Sequence, residues 1–135
     1  MTTVRYAFGI ALAALVFAGA VGPAAAQRAD RTPQARQLVM LLVKRDYAGV
    51  AKRFDDKMRQ ALPADKLKMV WENLTAQVGA FQKQGAARTE KAEEGGKTYD
   101  VVVITCQFAR RALDAKFVFN QQGQVSGLFF MPNQQ

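Results

Sequence analysis

Val101-Val102-Val103-Ile104-Thr105-Cys106-Gln107-Phe108, Leu113-Asp114-Ala115-Lys116-Phe117-Val118-Phe119 and Val125-Ser126-Gly127-Leu128-Phe129-Phe130 are the three runs whose reading decides the fold. The first is dense in β-branched residues, the second alternates, and the third ends at Met131-Pro132. β-Branched and aromatic side chains suit a pleated, half-buried surface. Residues 99–132 are therefore expected to form three consecutive strands of an antiparallel sheet.

The turns between the runs predict a register. A turn centred on Gln121-Gln122, with Gly123 as a left-handed bulge, sets Phe119 opposite Val125, Phe117 opposite Gly127 and Ala115 opposite Phe129. A turn at Arg110-Arg111 sets Phe108 opposite Leu113, Cys106 opposite Ala115, Ile104 opposite Phe117 and Val102 opposite Phe119. Side chains alternate along a strand, so one face collects Val102, Ile104, Cys106, Phe108, Leu113, Ala115, Phe117, Phe119, Val125 and Phe129. That face is the expected core. The other holds Val101, Val103, Thr105, Gln107, Asp114, Lys116, Val118, Ser126, Leu128 and Phe130. On it, Val103, Val118, Leu128 and Phe130 form an expected apolar patch for a partner, a second copy or a ligand.

Upstream, residues 80–94 are polar and small, with Lys83, Arg88, Lys91 and Glu93. Charged side chains protect a sheet edge from unwanted pairing, so this is the expected fourth, edge strand. Glu94-Gly95-Gly96-Lys97 is a two-residue hairpin signal, because glycine accepts the positive φ of such turns.

Helices are expected before the sheet. Thr32-Pro33 reads as a helix start, and Leu38, Val39, Leu42 and Val43 recur on one face. Asp46 can cap a short second helix carrying Tyr47, Val50, Ala51 and Phe54, weakened by Gly49. Lys57 begins a further turn or loop that ends at Leu62. Pro63 opens the longest helix, whose stripe is Leu67, Val70, Trp71, Leu74 and Val78, with Gly79 as its stop. The expected class is α+β: about three N-terminal helices on one face of a curved four-stranded antiparallel sheet, cone-like, over residues 33–132.

Residues 1–26 carry one charge at Arg5, a small and apolar run over 6–21, Gly22-Pro23, and Ala24-Ala25-Ala26 before Gln27. Charge, apolar core and small residues are the layout of a secretory signal. Export to the periplasm or medium of a bacterium is expected, with residues 27–32 as a loose N-terminus and no stable membrane anchor after cleavage.

The chain has 19 Lys and Arg against 11 Asp and Glu, for a net charge of +8. The charges are spread, from Arg28, Arg31 and Arg36 to Lys116, with no aromatic-interleaved basic cluster, so a nucleic-acid partner is not expected. There is no histidine and one cysteine, Cys106. Those absences remove Ser-His-Asp and Cys-His catalysis and the common zinc sites. No metal, cofactor or catalytic residue is assigned. Asp100 is placed at the rim of the core face, within reach of Lys91. Trp71, Cys106 and Asp100 are the candidates for a pocket between helix and sheet, and Cys106 is expected to be an inert, buried thiol. A carboxylate-based isomerase or lyase, using Asp100 or Asp114, is the alternative to a binding role.

Asp46-Tyr47, Phe54-Asp55, Met58, Leu62-Pro63, Leu67, Trp71, Gly79, Cys106-Gln107-Phe108, Leu113-Asp114 and the ending Gly123-Gln124-Val125-Ser126-Gly127-Leu128-Phe129-Phe130-Met131-Pro132 carry a resemblance. With them the chain resembles a small bacterial domain of unknown function, found alone in secreted proteins or in front of α/β-hydrolases, and similar in layout to the nuclear transport factor 2-like superfold. No G-x-S-x-G nucleophile elbow is present. The resemblance implies an accessory or binding module. The signal-like leader, the missing histidine and the two-faced sheet make an envelope protein, a second copy or a small apolar ligand the expected partner. The resemblance supplies no catalytic residues.

Overall fold

The structure, a computed structural model, describes residues 30–133. The expected signal over residues 1–26 lies outside the described residues. Among the described residues, four helices precede a four-stranded antiparallel meander: α1 (Thr32–Val43), α2 (Tyr47–Ala51), α3 (Asp56–Ala61), α4 (Ala64–Val78), β1 (Phe81–Glu94), β2 (Lys97–Phe108), β3 (Ala112–Phe119) and β4 (Val125–Pro132). Strand order is β1-β2-β3-β4. The α+β class and the helices-on-one-face layout are as expected, with one helix more, α3, where the sequence predicts a turn or loop.

Each helix start has a local cause. Thr32 is already helical, and Arg31 stands at the N-cap with no side-chain capping bond, so Pro33 presets the first turn of α1. Ala35, Leu38, Val39 and Leu42 are its buried face. The helix ends where Arg45 takes a left-handed φ of 64° and Asp46 N–H returns to Leu41 O at 2.8 Å. Asp46 then caps α2 through Gly49 N–H at 2.9 Å, and Asp55 caps α3 through Met58 N–H at 2.8 Å. In α4, Leu67, Trp71 and Val78 are buried, but Val70, expected in the core stripe, is 40 % exposed. It sits one residue before Trp71, about 100° around the helix.

The core face of the sheet is as expected for Val102, Ile104, Cys106, Phe108, Leu113, Ala115, Phe117, Phe119 and Val125, all buried with α1, α2 and α4. The trace of β2 against β3 differs by two residues: Cys106 faces Leu113, Ile104 faces Ala115 and Val102 faces Phe117. The turn is Ala109-Arg110, closed by Phe108 N–H to Arg111 O at 2.9 Å. It is fastened to the end of α4, because Ala109 N–H reaches Ala80 O and Arg110 N–H reaches Val78 O. The Arg110 guanidinium also donates to Ala76 O and Gln77 O, both at 3.0 Å. A two-residue slip leaves every side chain on its face, so the expected core survived the wrong turn.

Between β3 and β4 the slip is one residue, and its consequence is the opposite. Phe119 faces Val125 as expected, but the next pair is Val118 with Gly127, leaving Ser126 as the extra residue of a bulge. Beyond it Phe117 faces Leu128, Lys116 faces Phe129 and Ala115 faces Phe130. Leu128 and Phe130 therefore pack on the core side, and Phe129 is turned out and 51 % exposed. The expected outward patch is corrected at both residues. The Phe130 ring lies 5.9 Å from Trp71, as does the ring of Phe108, so the space between helix and sheet is filled by aromatic contacts.

Candidate functional site

The bulge has a visible origin. Val125 N–H donates to Arg53 O at 2.7 Å, and Asp55 N–H donates to Val125 O at 2.9 Å, making a short parallel bridge between Phe54 and Val125. Ser126 Oγ then donates to Asp55 Oδ2 at 2.8 Å, while Oδ1 of the same carboxylate caps α3. Two residues ahead of the turn into α3 thus hold the first two residues of β4. The remainder of the strand must enter the sheet one position later.

This produces a groove of about 890 Å³ on the outer side of the sheet. Val101, Val118 and Gly127 form its base, the Phe129 ring one wall, and the β1–β2 hairpin near Gly95 and Lys97 the other. A side chain at position 127 would meet the Phe129 ring at 3.0 Å and Val118 Cγ2 at 3.3 Å. The glycine is thus what lets the ring lie against the strand. Lys116 Nζ sits 5.8 Å from the Phe129 centroid, a cation–π contact that steadies the half-exposed ring. Lys57, Lys97 and Lys116 line the groove together with Asp55, Asp56 and Glu94, so neither sign of charge dominates. A smaller hollow of about 190 Å³ shares Asp55, Lys97, Tyr99 and Ser126 and runs to the amides of Asn120, Gln121 and Gln122. The arrangement suits an amphipathic ligand: an apolar strip for van der Waals contact and a ring of balanced donors and acceptors.

The expected surface residues divide. Val118 lines the groove, and Val103 is on the outer face but only 2 % exposed. Leu128 and Phe130 are on the other side of the sheet. Phe129 and Gly127, placed on the core face by the expected register, are the ones the groove uses. A signal for this was present: an isolated Ser-Gly pair inside an apolar strand marks a bulge.

The expected pocket of Trp71, Cys106 and Asp100 does not assemble. Asp100 faces Phe119 and Cys106 faces Leu113, six residues apart on β2 and so about 20 Å apart. Asp100 contacts Lys91 Nζ, as expected, and Arg31 Nε at 3.6 Å. Cys106 is buried, and burial, aided by the Asp114 carboxylate, pushes its thiol up to about 11. A thiolate is the reactive form, so this side chain is a small apolar filler at neutral pH. Asp114 is on the outer face but buried, accepting from Thr105 Oγ1 at 3.0 Å and Asn133 Nδ2 at 2.9 Å, with Arg88 at 3.8 Å. Neither carboxylate lines the groove. Trp71 instead borders a separate open cleft of about 500 Å³ with Arg45, Glu72 and Phe81. Among the described residues no three His, Cys, Asp or Glu side chains gather as a metal site.

Comparison with known proteins agrees with this architecture. A family model described as "Protein of unknown function (DUF3887)" matches residues 35–128. Among solved structures, a protein from Ruminococcus gnavus ATCC 29149, determined by NMR, is similar at a TM-score of 0.58 and 14 % identity, covering 70 % of this chain and 82 % of that one. At that identity the likeness shows the fold. No curated protein matches the chain.

Proposed function

The chain belongs to this DUF3887 family of proteins of unknown function, and on that premise we propose that it is an exported, non-catalytic binding module whose outer groove takes the apolar part of a ligand. The observation that carries the reading is Phe129. A phenylalanine half open to water, braced by Lys116 and set over a glycine, retains an apolar contact surface that folding has not used. The balanced charges of the rim favour an uncharged or zwitterionic polar end over a polyanion.

The test is a titration of the protein with 1-anilinonaphthalene-8-sulfonate, read by dye fluorescence. Gly127→Val fills the base of the groove and Phe129→Ser removes its wall. Both are expected to weaken dye binding by about tenfold, the effect of losing a buried apolar contact worth ~1.4 kcal/mol. Equal binding by wild type and both variants would remove the groove from consideration. Export is tested separately by fractionating a bacterial host. A periplasmic species beginning after Ala26 supports it, and a full-length cytosolic chain refutes it.

A further inference from the structure

The cleft of about 500 Å³ beside Trp71 shares no lining residue with the outer groove. Its walls are Val43 and Arg45 at the end of α1, part of α4, and Ala80 and Phe81 where β1 begins. On α4, Glu72, Thr75 and Ala76 follow the i, i+3, i+4 spacing that puts side chains on one face. That wall is firmly held. Trp71 is braced by the Phe108 and Phe130 rings, and Arg110 fastens the helix end through Ala76 O and Gln77 O. Three features here are not explained by folding. Among the described residues, Arg45 is the one non-glycine with a positive φ, 64°, at a helix end where glycine is the usual residue. Arg45 and Glu72 line the same cleft, yet among the described residues neither side chain has an ion-pair or hydrogen-bond partner. Tyr47, near enough to feel both charges, is 9 % exposed, and its hydroxyl also has no hydrogen-bond partner among the described residues. Buried polar atoms without partners are rare.

We infer that this cleft binds a small apolar zwitterion: an apolar body with one free carboxylate and one free ammonium, as in an amino acid or a short peptide. The two unpaired charges argue the two ends. The Arg45 guanidinium offers a fork of donors that matches a carboxylate. Glu72 accepts from an ammonium. Beside it Thr75 Oγ1, which donates to Trp71 O at 3.0 Å and Glu72 O at 3.2 Å, keeps lone pairs for the same group. Val43, Trp71, Ala76, Ala80 and Phe81 supply the apolar surface between. A ligand of one sign leaves the opposite residue unmatched, so the pair selects for both charges on one molecule. The volume is within the range of small-molecule sites. The left-handed backbone at Arg45 is then strain held at a binding site, with a guanidinium gained where glycine would fit more easily.

Trp71 is the single tryptophan of the chain, so its fluorescence reports on the cleft directly. L-leucine and leucyl-leucine are the probes, titrated into the protein as its bacterial host processes it. At least one is expected to give a saturable change with a dissociation constant of about 1 mM or below, and the tighter one identifies the source. Acetylating its amine or amidating its carboxylate is expected to weaken binding ~10-fold, the loss of one charge-assisted hydrogen bond. Arg45→Gly is expected to weaken the free probe ~10-fold and leave its amide unaffected. Glu72→Gln is expected to weaken the free probe equally and leave its acetylated form unaffected. Because glycine suits a φ of 64°, Arg45→Gly is expected to melt no lower than wild type, which separates lost binding from lost folding. Phe129→Ser, in the outer groove, is expected to leave the titration unchanged, so this inference and the groove reading fail separately. No saturable change with either probe overturns the inference. So do blocked probes that bind as tightly as the free ones.

Discussion

Ser126 Oγ and Asp55 Oδ2 are hydrogen-bonded at 2.8 Å, and that contact decides which face of the sheet Phe129 occupies. The Asp55 carboxylate faces two ways, to the first turn of α3 and to the bulge that begins β4. With Val125 clamped to Arg53 and Asp55 through its backbone, Ser126 is surplus to the β3 ladder, and the residues after it change sides. Removing either partner tests this. Ser126→Ala is expected to cost about 1 kcal/mol, one hydrogen bond. Asp55→Ala should cost about 1–2 kcal/mol, because a helix cap is lost with it. In the double mutant the costs are expected to be less than additive. Additive losses in denaturant melts would show that the two side chains act separately.

Phe117 lies at the centre of the core face, fully buried and stacked with Phe119 at a centroid distance of 6.4 Å. Phe117→Ala is expected to cost about 3–5 kcal/mol. Phe117→Asp buries an unpaired carboxylate and should abolish folding. A soluble, cooperatively melting Phe117→Asp protein would contradict the placement of this face.

Gly49 is expected, on helix propensity alone, to weaken α2, yet a Cβ there would lie 2.6 Å from Asp46 Oδ2. The glycine makes room for the carboxylate that caps the helix. Gly49→Ala should therefore destabilise by about 1 kcal/mol, the worth of the displaced cap. In an Asp46→Ala background the same change should stabilise by up to ~1 kcal/mol, the propensity difference. The reversal of sign is the measurement. The same sign in both backgrounds would detach Gly49 from the cap.

The Cys106 thiol sets an alkaline limit. Its folded-state value is raised from 9.0 to about 11 by burial and by Asp114. The unfolded chain thus loses its proton first as pH rises. Stability from this group is complete below pH 9 and falls progressively between about 9 and about 11. Cys106→Ala is expected to flatten that part of the pH–stability curve, with other alkaline losses unchanged. Reaction of native protein with a thiol reagent at neutral pH should be slow and limited by opening. A native rate equal to the unfolded rate would place the thiol at the surface.

Most of the fold is legible in the order of residues because its causes are local. The 3.6 and 2.0 periodicities separate helices from strands. Leu67, Trp71 and Val78 mark one helix face, and Val102 to Phe108 mark one strand face. Asp46 signals a cap and Gly95-Gly96 a hairpin by chemistry within a few residues of themselves. Even the misplaced β2–β3 turn did no harm, since a slip of two preserves face. The α3 helix was less legible, because six residues with no fully buried side chain carry little periodic signal.

The candidate site was not legible in the same way. Its position depends on Asp55 meeting Ser126 across 71 residues of chain, and no local pattern encodes that meeting. Sequence alone determined α1, α2 and α4, the strands, the core face up to Val125, and the charged edge strand. Tertiary structure alone decided that β4 bulges at its second residue, and so that Phe130 packs on Trp71 while Phe129 turns outward. The physical reason is that a strand's side-chain period is two. One extra residue, fixed by a contact from elsewhere in the chain, inverts every side chain after it.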